Sequence, residues 1–304
     1  MKYLILIFLF FVCDVSISQY LMYTGFIGDS PIDLILHSYS DGNTQGVYSF
    51  KKNDNPVEIK GEIDRGNLIL SNSDTIEKRT EQFIIPAVSL IKKSVTGIWK
   101  DLKSRKEFKI QLTKTNQFDL YDETTFSSLE FMQAKSSEDH YFRLILTKKK
   151  TEDVKVIGVK VYQKVSDSLI NYFSIESEFI GLNNVSIGDF NFDGEIDFSV
   201  FEASYFGRNT TSIYFLKSKG NNYFKSDFRG VSLQFDSKKE LITEHNNSNG
   251  SIQNKIYSVK NNKMIFIREE CFTYDFGNEE FIFVNCGKTQ IKSDLMEFRK
   301  ILSS

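Results

Sequence analysis

Apolar and polar positions alternate with a period of two through much of the chain. Ile32, Leu34 and Leu36 alternate with Asp33, Ile35 and His37. Val57, Ile59, Gly61 and Ile63 alternate with Glu58, Lys60 and Glu62. That period belongs to strands with one buried face. Asp41-Gly42-Asn43, Asn53-Asp54-Asn55-Pro56 and Asp64-Arg65-Gly66 punctuate the runs as turns. With further strands at 83–85, 97–99 and 108–112, residues 19–134 read as an antiparallel meander or sandwich. Residues 135–139 read as a connection. Strands resume at 141–147, 156–163, 169–174, 213–217, 223–225, 255–259 and 264–269, separated by short turns. The polar stretch 244–253 predicts a loop. Ser293 predicts the N-cap of one short helix over 295–302. The expected fold is all-β: an N-terminal β domain at 19–134, then an irregular propeller-like β domain at 135–304.

Composition agrees. Aromatics are 14% of the chain and only 3 residues are Pro, a balance suited to pleated, half-buried surfaces. Trp99, the only Trp, sits in a predicted strand and is expected to fill the core. Residues 1–18 predict a signal peptide: Lys2 is the positive end, Tyr3–Val12 the apolar run, and Ser16-Ile17-Ser18 the small residues before cleavage at Gln19. A membrane anchor or buried helix is the competing reading of this run. Lipidation at Cys13 is disfavoured, because Val12 stands where a small residue is needed. Export places the protein in the periplasm, with secretion or surface display as the alternative, and leaves no transmembrane anchor after cleavage. Removal of the segment takes away Lys2 and Asp14 together and leaves the formal charge at −2. The densest basic run, Lys148-Lys149-Lys150, is followed by Glu152 and Asp153 and reads as a solvated turn. Nothing here invites nucleic acid.

Of 3 Cys, Cys13 leaves with the signal peptide. Cys271 and Cys286 flank the turn Gly277-Asn278-Glu279-Glu280, and a symmetric hairpin would set them directly opposite one another, at a spacing suited to a disulfide.

The sharpest pattern is Asp189-Phe-Asn-Phe-Asp-Gly-Glu-Ile-Asp197. Asp189, Asn191, Asp193 and Asp197 take positions 1, 3, 5 and 9 of a cation loop, the carbonyl of Glu195 falls at 7, and Gly194 allows the bend at 6. Converging carboxylate, amide and carbonyl oxygens suit Ca²⁺. The loop is not an EF-hand: Val200 stands where a bidentate Glu belongs, and the flanks are strand-like. Ile187, Phe190, Phe192, Ile196 and Phe198 are expected to pin it to the core. An exposed acidic turn without metal is the plainer reading. The run VSIGDFNFDGEIDFSVF, followed by FGRNTTSIYFLKSKGNNYFKSD, resembles a blade of the FG-GAP/VCBS class of calcium-binding β-propeller repeats. With YTGFIGDSPIDLILHSYSDGNTQGVYSFKK, TGIWKD, LQFDSKKELITEHNN and IYSVKNNKMIFIREEC, the wider pattern resembles a periplasmic propeller-like family that includes immunity proteins inhibiting peptidoglycan-cleaving effectors. The resemblance implies fold, metal and a hydrolase as protein partner.

Catalytic signatures are missing. No HExxH, GxSxG or CxxC occurs. Gly287-Lys288-Thr289 lacks the first glycine of a phosphate loop, since Ile282 stands there. His37, His140 and His245 are isolated and read as surface residues, and Glu269-Glu270 and Glu279-Glu280 are adjacent pairs that a strand would point apart. The reading is therefore a binding protein and not an enzyme. A surface adhesion or scaffold module and an envelope glycan-acting enzyme remain as alternatives. Tyr205, Phe206 and Arg208, between two predicted strands, are the side-chain types that anchor interfaces; packing inside the fold is the competing role for the two aromatics. Asn184, Asn209, Asn246 and Asn249 each begin an N-x-S/T triplet, read as a product of Asn-rich composition.

Overall fold

A computed structural model describes residues 18–72, 78–90, 92–218, 220–248, 250–275, 277 and 279–286. The predicted signal segment with Cys13, the 287–289 run and the C-terminal helix lie outside them. The described chain is all-β and antiparallel, and forms two compact units: residues up to 134 with 147–154 and 164–167, and residues 135–146, 155–163 and 168 onward.

The first unit is built on eight strands: β1 (Gln19–Ile27), β2 (Ser30–Ser38), β3 (Asn43–Phe50), β4 (Val57–Asp64), β5 (Asn67–Ser71), β6 (Glu81–Pro86), β7 (Ser94–Asp101) and β8 (Lys106–Asp119). They follow one another as a meander, but the result is a closed barrel and not a sandwich. The device is the length of β8. Residues 106–113 pair with β7, and its far end pairs with β1, from Ile27↔Ile110 to Gln19↔Asp119. Closure leaves no open edge. Alternation fills the interior: Leu34, Tyr48, Leu68, Leu70, Phe83 and Ile85 are each fully buried, and Trp99 joins them as expected. Arg65 and Gly66 form the two-residue turn between β4 and β5, both with positive φ, 47° and 79°. That is the turn whose twist suits a hairpin.

Three further sheets follow. The first has β9 (Phe126–Ser136), β10 (His140–Lys148), β11 (Lys155–Gln163) and β12 (Leu169–Glu178), in the order β12-β11-β10-β9. The expected connection at 135–139 is only the tight turn between β9 and β10, closed by Ser137 N–H to His140 O at 2.9 Å. The second sheet has β13 (Val185–Gly188), β14 (Asp197–Tyr205), β15 (Asn209–Lys217) and β16 (Tyr223–Lys225). The third has β17 (Gln234–Asp236), β18 (Leu241–Ser248), β19 (Ser251–Lys260), β20 (Lys263–Asp275) and β21 (Glu280–Val284). In the second unit aromatic rings fill the core. Phe198, fully buried, stacks on Phe215 at 4.5 Å and meets Phe142 at 4.7 Å.

Four expectations are corrected. Residues 244–253 are not a loop. They form the β18–β19 hairpin, because their amides find partners: His245 Nδ1 and Asn254 Oδ1 lie 2.8 Å apart. Lys148 is not solvated. Its side chain is fully buried in the first unit, donating to the carbonyls of Asp122 and Lys150 and pairing with the Asp122 carboxylate at 3.4 Å. Glu152 and Asp153 are not its partners. His140 is not at the surface either; it is fully buried, with Nδ1 3.2 Å from the Tyr223 hydroxyl. His37 is half-buried between the rings of Tyr20 and Tyr39, and burial pushes its pKa down to about 4.

Candidate metal loop and exposed aromatic turn

Strand β14 carries a candidate feature at each end. At its start lies the acidic loop, closed by the ladder Gly188↔Asp197. Gly194 adopts φ +88°, the left-handed region that excludes most side chains, while a Cβ there would meet nothing within 4 Å. Conformation, not crowding, requires this glycine.

The acidic side chains fold over their own backbone. Asp189 accepts from the N–H groups of Asp193 at 3.1 Å and Gly194 at 2.9 Å, and Asp193 accepts from Glu195 N–H at 2.9 Å. Asn191 accepts from Asp193 N–H at 3.3 Å. Its amide donates to Asp193 Oδ2 and, across to the β19–β20 turn, to Asn262 Oδ1, each at 2.8 Å. Asp197 is fully buried, with one oxygen on Phe190 N–H and the other on Lys217 N–H, both at 2.8 Å. Burial pushes its pKa up to about 6 against the pull of those two N–H groups, and the charges of Asp193 and Asp189 push the same way. Lys217 answers part of this charge through Glu195, at 3.1 Å.

The donor chemistry suits a hard cation: carboxylates, one amide and the Glu195 carbonyl on one turn. Among the described residues, however, the three Asp side chains do not gather three carboxylate oxygens within 4.8 Å of one another. Each is spent on backbone N–H groups instead. Aromatic anchoring holds in part. Phe198 is buried, and Phe190 and Phe192 lie against Phe235 at 4.7 and 6.5 Å. Ile187 and Ile196 face solvent.

At the other end of β14 stands the turn to β15. Tyr205 is 56% and Phe206 82% exposed, so neither serves as core. Arg208 is exposed too, with φ 64°. The turn is held from beneath by Asn209, itself buried. Its amide donates to Phe206 O at 2.9 Å, Asn247 O at 2.9 Å and Asn246 Oδ1 at 3.2 Å, while its Oδ1 accepts Asn247 N–H at 3.0 Å. Every polar atom of this side chain is used, so Asn209 is a structural amide and not a modification site. Asn184 is another: it is buried and bonds Ile180 N–H and Glu178 O. The role of Asn209 is not legible in its triplet, because Asn246 and Asn247 lie almost forty residues away.

Cys271 and Cys286 form a disulfide with Cα atoms 5.2 Å apart. The two are not opposite in the ladder, as a symmetric hairpin would have them. Cys271 pairs with Val284, and the bond reaches two residues past the end of β21.

The chain matches no family model and no curated protein. Among the described residues, no helix is long and apolar enough to cross a membrane.

Proposed function

We infer that this is an exported, calcium-stabilised binding protein whose partner is another protein, and that its role is periplasmic immunity: it blocks a peptidoglycan hydrolase by contact. The observation that carries the binding reading is the Tyr205-Phe206-Gly207-Arg208 turn. Two aromatic rings stand in solvent on a turn fixed by a fully bonded buried amide. Exposed aromatic and Arg side chains are how protein interfaces are anchored, and a backbone already fixed leaves less ordering entropy to lose on binding. The hydrolase as partner rests on the resemblance to propeller-like immunity proteins. Three successive antiparallel meander sheets support its blade-like architecture.

Calcium is assigned to Asp189, Asn191, Asp193, Asp197 and the Glu195 carbonyl. What supports it is charge. Three Asp side chains share one turn, and Asp197 is held above the usual carboxylate range despite two N–H donors. Burial is the main cause of that rise and the neighbouring Asp193 and Asp189 charges add to it, and a divalent ion would offset both. Its role is structural. Asp197 and Tyr205 are eight residues apart along one strand, roughly 26 Å, so the ion stabilises the unit without touching the aromatic turn.

The test is a pull-down and inhibition assay of the mature chain against peptidoglycan hydrolases encoded by neighbouring genes. Capture and inhibition lost in the Tyr205→Ala, Arg208→Ala variant support the reading. Full-strength inhibition by that variant moves the interface elsewhere, and no effect of the parent on any such hydrolase removes the immunity role.

A further inference from the structure

The disulfide sits beside a carboxylate. Glu269 and Cys271 are two residues apart on β20 and point to the same side of the sheet. Cys286 is brought to them from beyond β21. One oxygen of Glu269 and the two sulfurs all lie within 4.8 Å of one another. The carboxylate is oriented as well, because Gln253, directly opposite Cys271 on β19, donates its side-chain amide to Glu269 Oε1. Cys271 is buried, while Glu269 and Cys286 are half-buried, so the group lies near the surface.

Besides its short ladder, the hairpin these residues hold is joined by the ring pairs Phe272–Phe283 and Tyr274–Phe281, at 5.7 and 5.2 Å. Phe281 and Phe283 of β21 are 47% and 68% exposed, and among the described residues β21 pairs with 271–275 of β20 at the edge of its sheet. The covalent link fixes the end of the strand. When it is cut, the same atoms are left as two thiols and an oriented carboxylate around one point.

We propose that Cys271, Cys286 and Glu269 form a zinc site in the reduced protein, with the fourth position open to water. The chemistry is a two-electron exchange followed by metal binding. An external dithiol gives two electrons and two protons to the S–S bond. It leaves as its own disulfide, and Cys271 and Cys286 become thiols. Each thiol loses its proton when the ion binds, so two thiolates and one carboxylate face Zn²⁺. Thiolate donors select zinc over calcium and magnesium, the opposite preference from the oxygen donors of the 189–197 loop. The ion would take over the clamp that the disulfide provides in an oxidising compartment.

The test uses the full mature chain with calcium in excess, reduced by a phosphine under anaerobic conditions and titrated with Co²⁺ and then Zn²⁺. A thiolate-to-cobalt charge-transfer band, saturating at one ion per chain and displaced by zinc, is expected. The oxidised chain and the Cys271→Ser, Cys286→Ser variant should show none. Glu269→Gln keeps both sulfurs, and its disulfide forming normally under air reports that the fold is intact. Its reduced form should bind about 10–100-fold more weakly than the parent, and Gln253→Ala should lose affinity in the same direction, as loss of an orienting partner does. A reduced parent without the band overturns the proposal. A Glu269→Gln variant that binds as tightly as the parent overturns it too, because the carboxylate would then be no ligand.

Discussion

The barrel and the sheets that follow it solve the same problem with different side chains. The core of β1–β8 is one apolar cluster into which every strand alternates, and the polar groups buried in the first unit, among them Thr44, Ser71, Asp119 and Lys148, are not members of it. The second unit buries rings and, among them, a histidine, a carboxylate and several amides: His140, Asp197, Asn184 and Asn209. An apolar interior needs only the right period and about the right volume. A polar group indoors needs a named partner, or it costs about 1–3 kcal/mol. The second unit therefore depends on specific contacts, and both candidate sites, the acidic loop and the aromatic turn, are in it. Its stability should answer to calcium and reductant, while the barrel's should answer to neither and should feel protons chiefly through half-buried His37.

The largest expected effect tests whether the aromatic core is as indispensable as the aliphatic one. Phe198→Ala removes a ring that meets Phe142, Phe215 and Tyr223 at 4.7, 4.5 and 5.0 Å. It should cost about 3–5 kcal/mol. Amide exchange read peptide by peptide should show β10–β16 loosening while β1–β7 keep their protection. Equal loosening of the barrel would erase the distinction between the two units.

Reduction comes next. The closed loop spans 15 residues, and opening it should cost about 3 kcal/mol on the chain-entropy account. The loss should fall on β20 and β21, where Phe266, Phe281 and Phe283 are exposed, and proteolysis of the reduced chain in metal-free buffer should begin there. Cleavage starting in the barrel would contradict this.

Calcium should act on a similar scale. An ion that binds only the folded form stabilises it by about 2.7 kcal/mol at a hundred times its dissociation constant. Chelation should lower the melting temperature of the second unit, and Asp193→Ala should remove that response. An unchanged melting curve would end the calcium assignment. The proton offers a finer version of this experiment. Asp197 titrates near 6 in the folded chain against 3.8 as an ordinary carboxyl. Between those values the folded state binds more protons at Asp197 than the unfolded one, so the calcium-free stability of the second unit should fall as pH rises from about 4 to about 6, opposite in sign to the barrel, where His37 with its pKa near 4 makes stability rise. Calcium competes with that proton and should flatten or reverse the slope. Asp197→Asn should abolish it. A slope that survives this substitution belongs to another group.

Much of this fold is legible in the chain because its signals are local. The alternation at Ile32–Leu36, the Arg65-Gly66 turn and the Lys260–Lys263 turn each rest on residues within a few positions. The Asn261-Asn262 pair, with φ 51° and 59°, shows why asparagine serves at the second of these turns. Barrel closure is not legible. It depends on β1 meeting β8 across some ninety residues, and no short pattern marks a strand as first or last. Buried polar groups fail for the same reason. Lys148 looks like any lysine in a basic run until Asp122 is placed beside it. The stretch 244–253 looks like a loop until Asn209 and Asn254 supply its partners. The acidic loop was the reverse case: its spacing is sharp, yet Asn262, which orients Asn191, comes from a turn 71 residues away.

The smallest effect on stability belongs to the exposed turn, and it bears most directly on function. Tyr205 and Phe206 bury little, so Tyr205→Ala with Arg208→Ala should change stability by no more than about 0.5 kcal/mol, the range of ordinary surface substitutions. Asn209→Ala should cost more, about 1–2 kcal/mol, because it strips the partners from Phe206 O and from both backbone groups of Asn247. The two variants separate presentation from contact. If the turn is a binding anchor, the double substitution should weaken partner binding by at least about 2 kcal/mol, roughly thirtyfold, with melting unchanged. Asn209→Ala should weaken it less, since the anchoring side chains remain and only their fixed geometry is lost. Calorimetry of each variant against the captured hydrolase reads both. A double variant that melts and binds like the parent would leave Tyr205 and Arg208 as plain surface, and would turn the search for the interface to the exposed rings of β21.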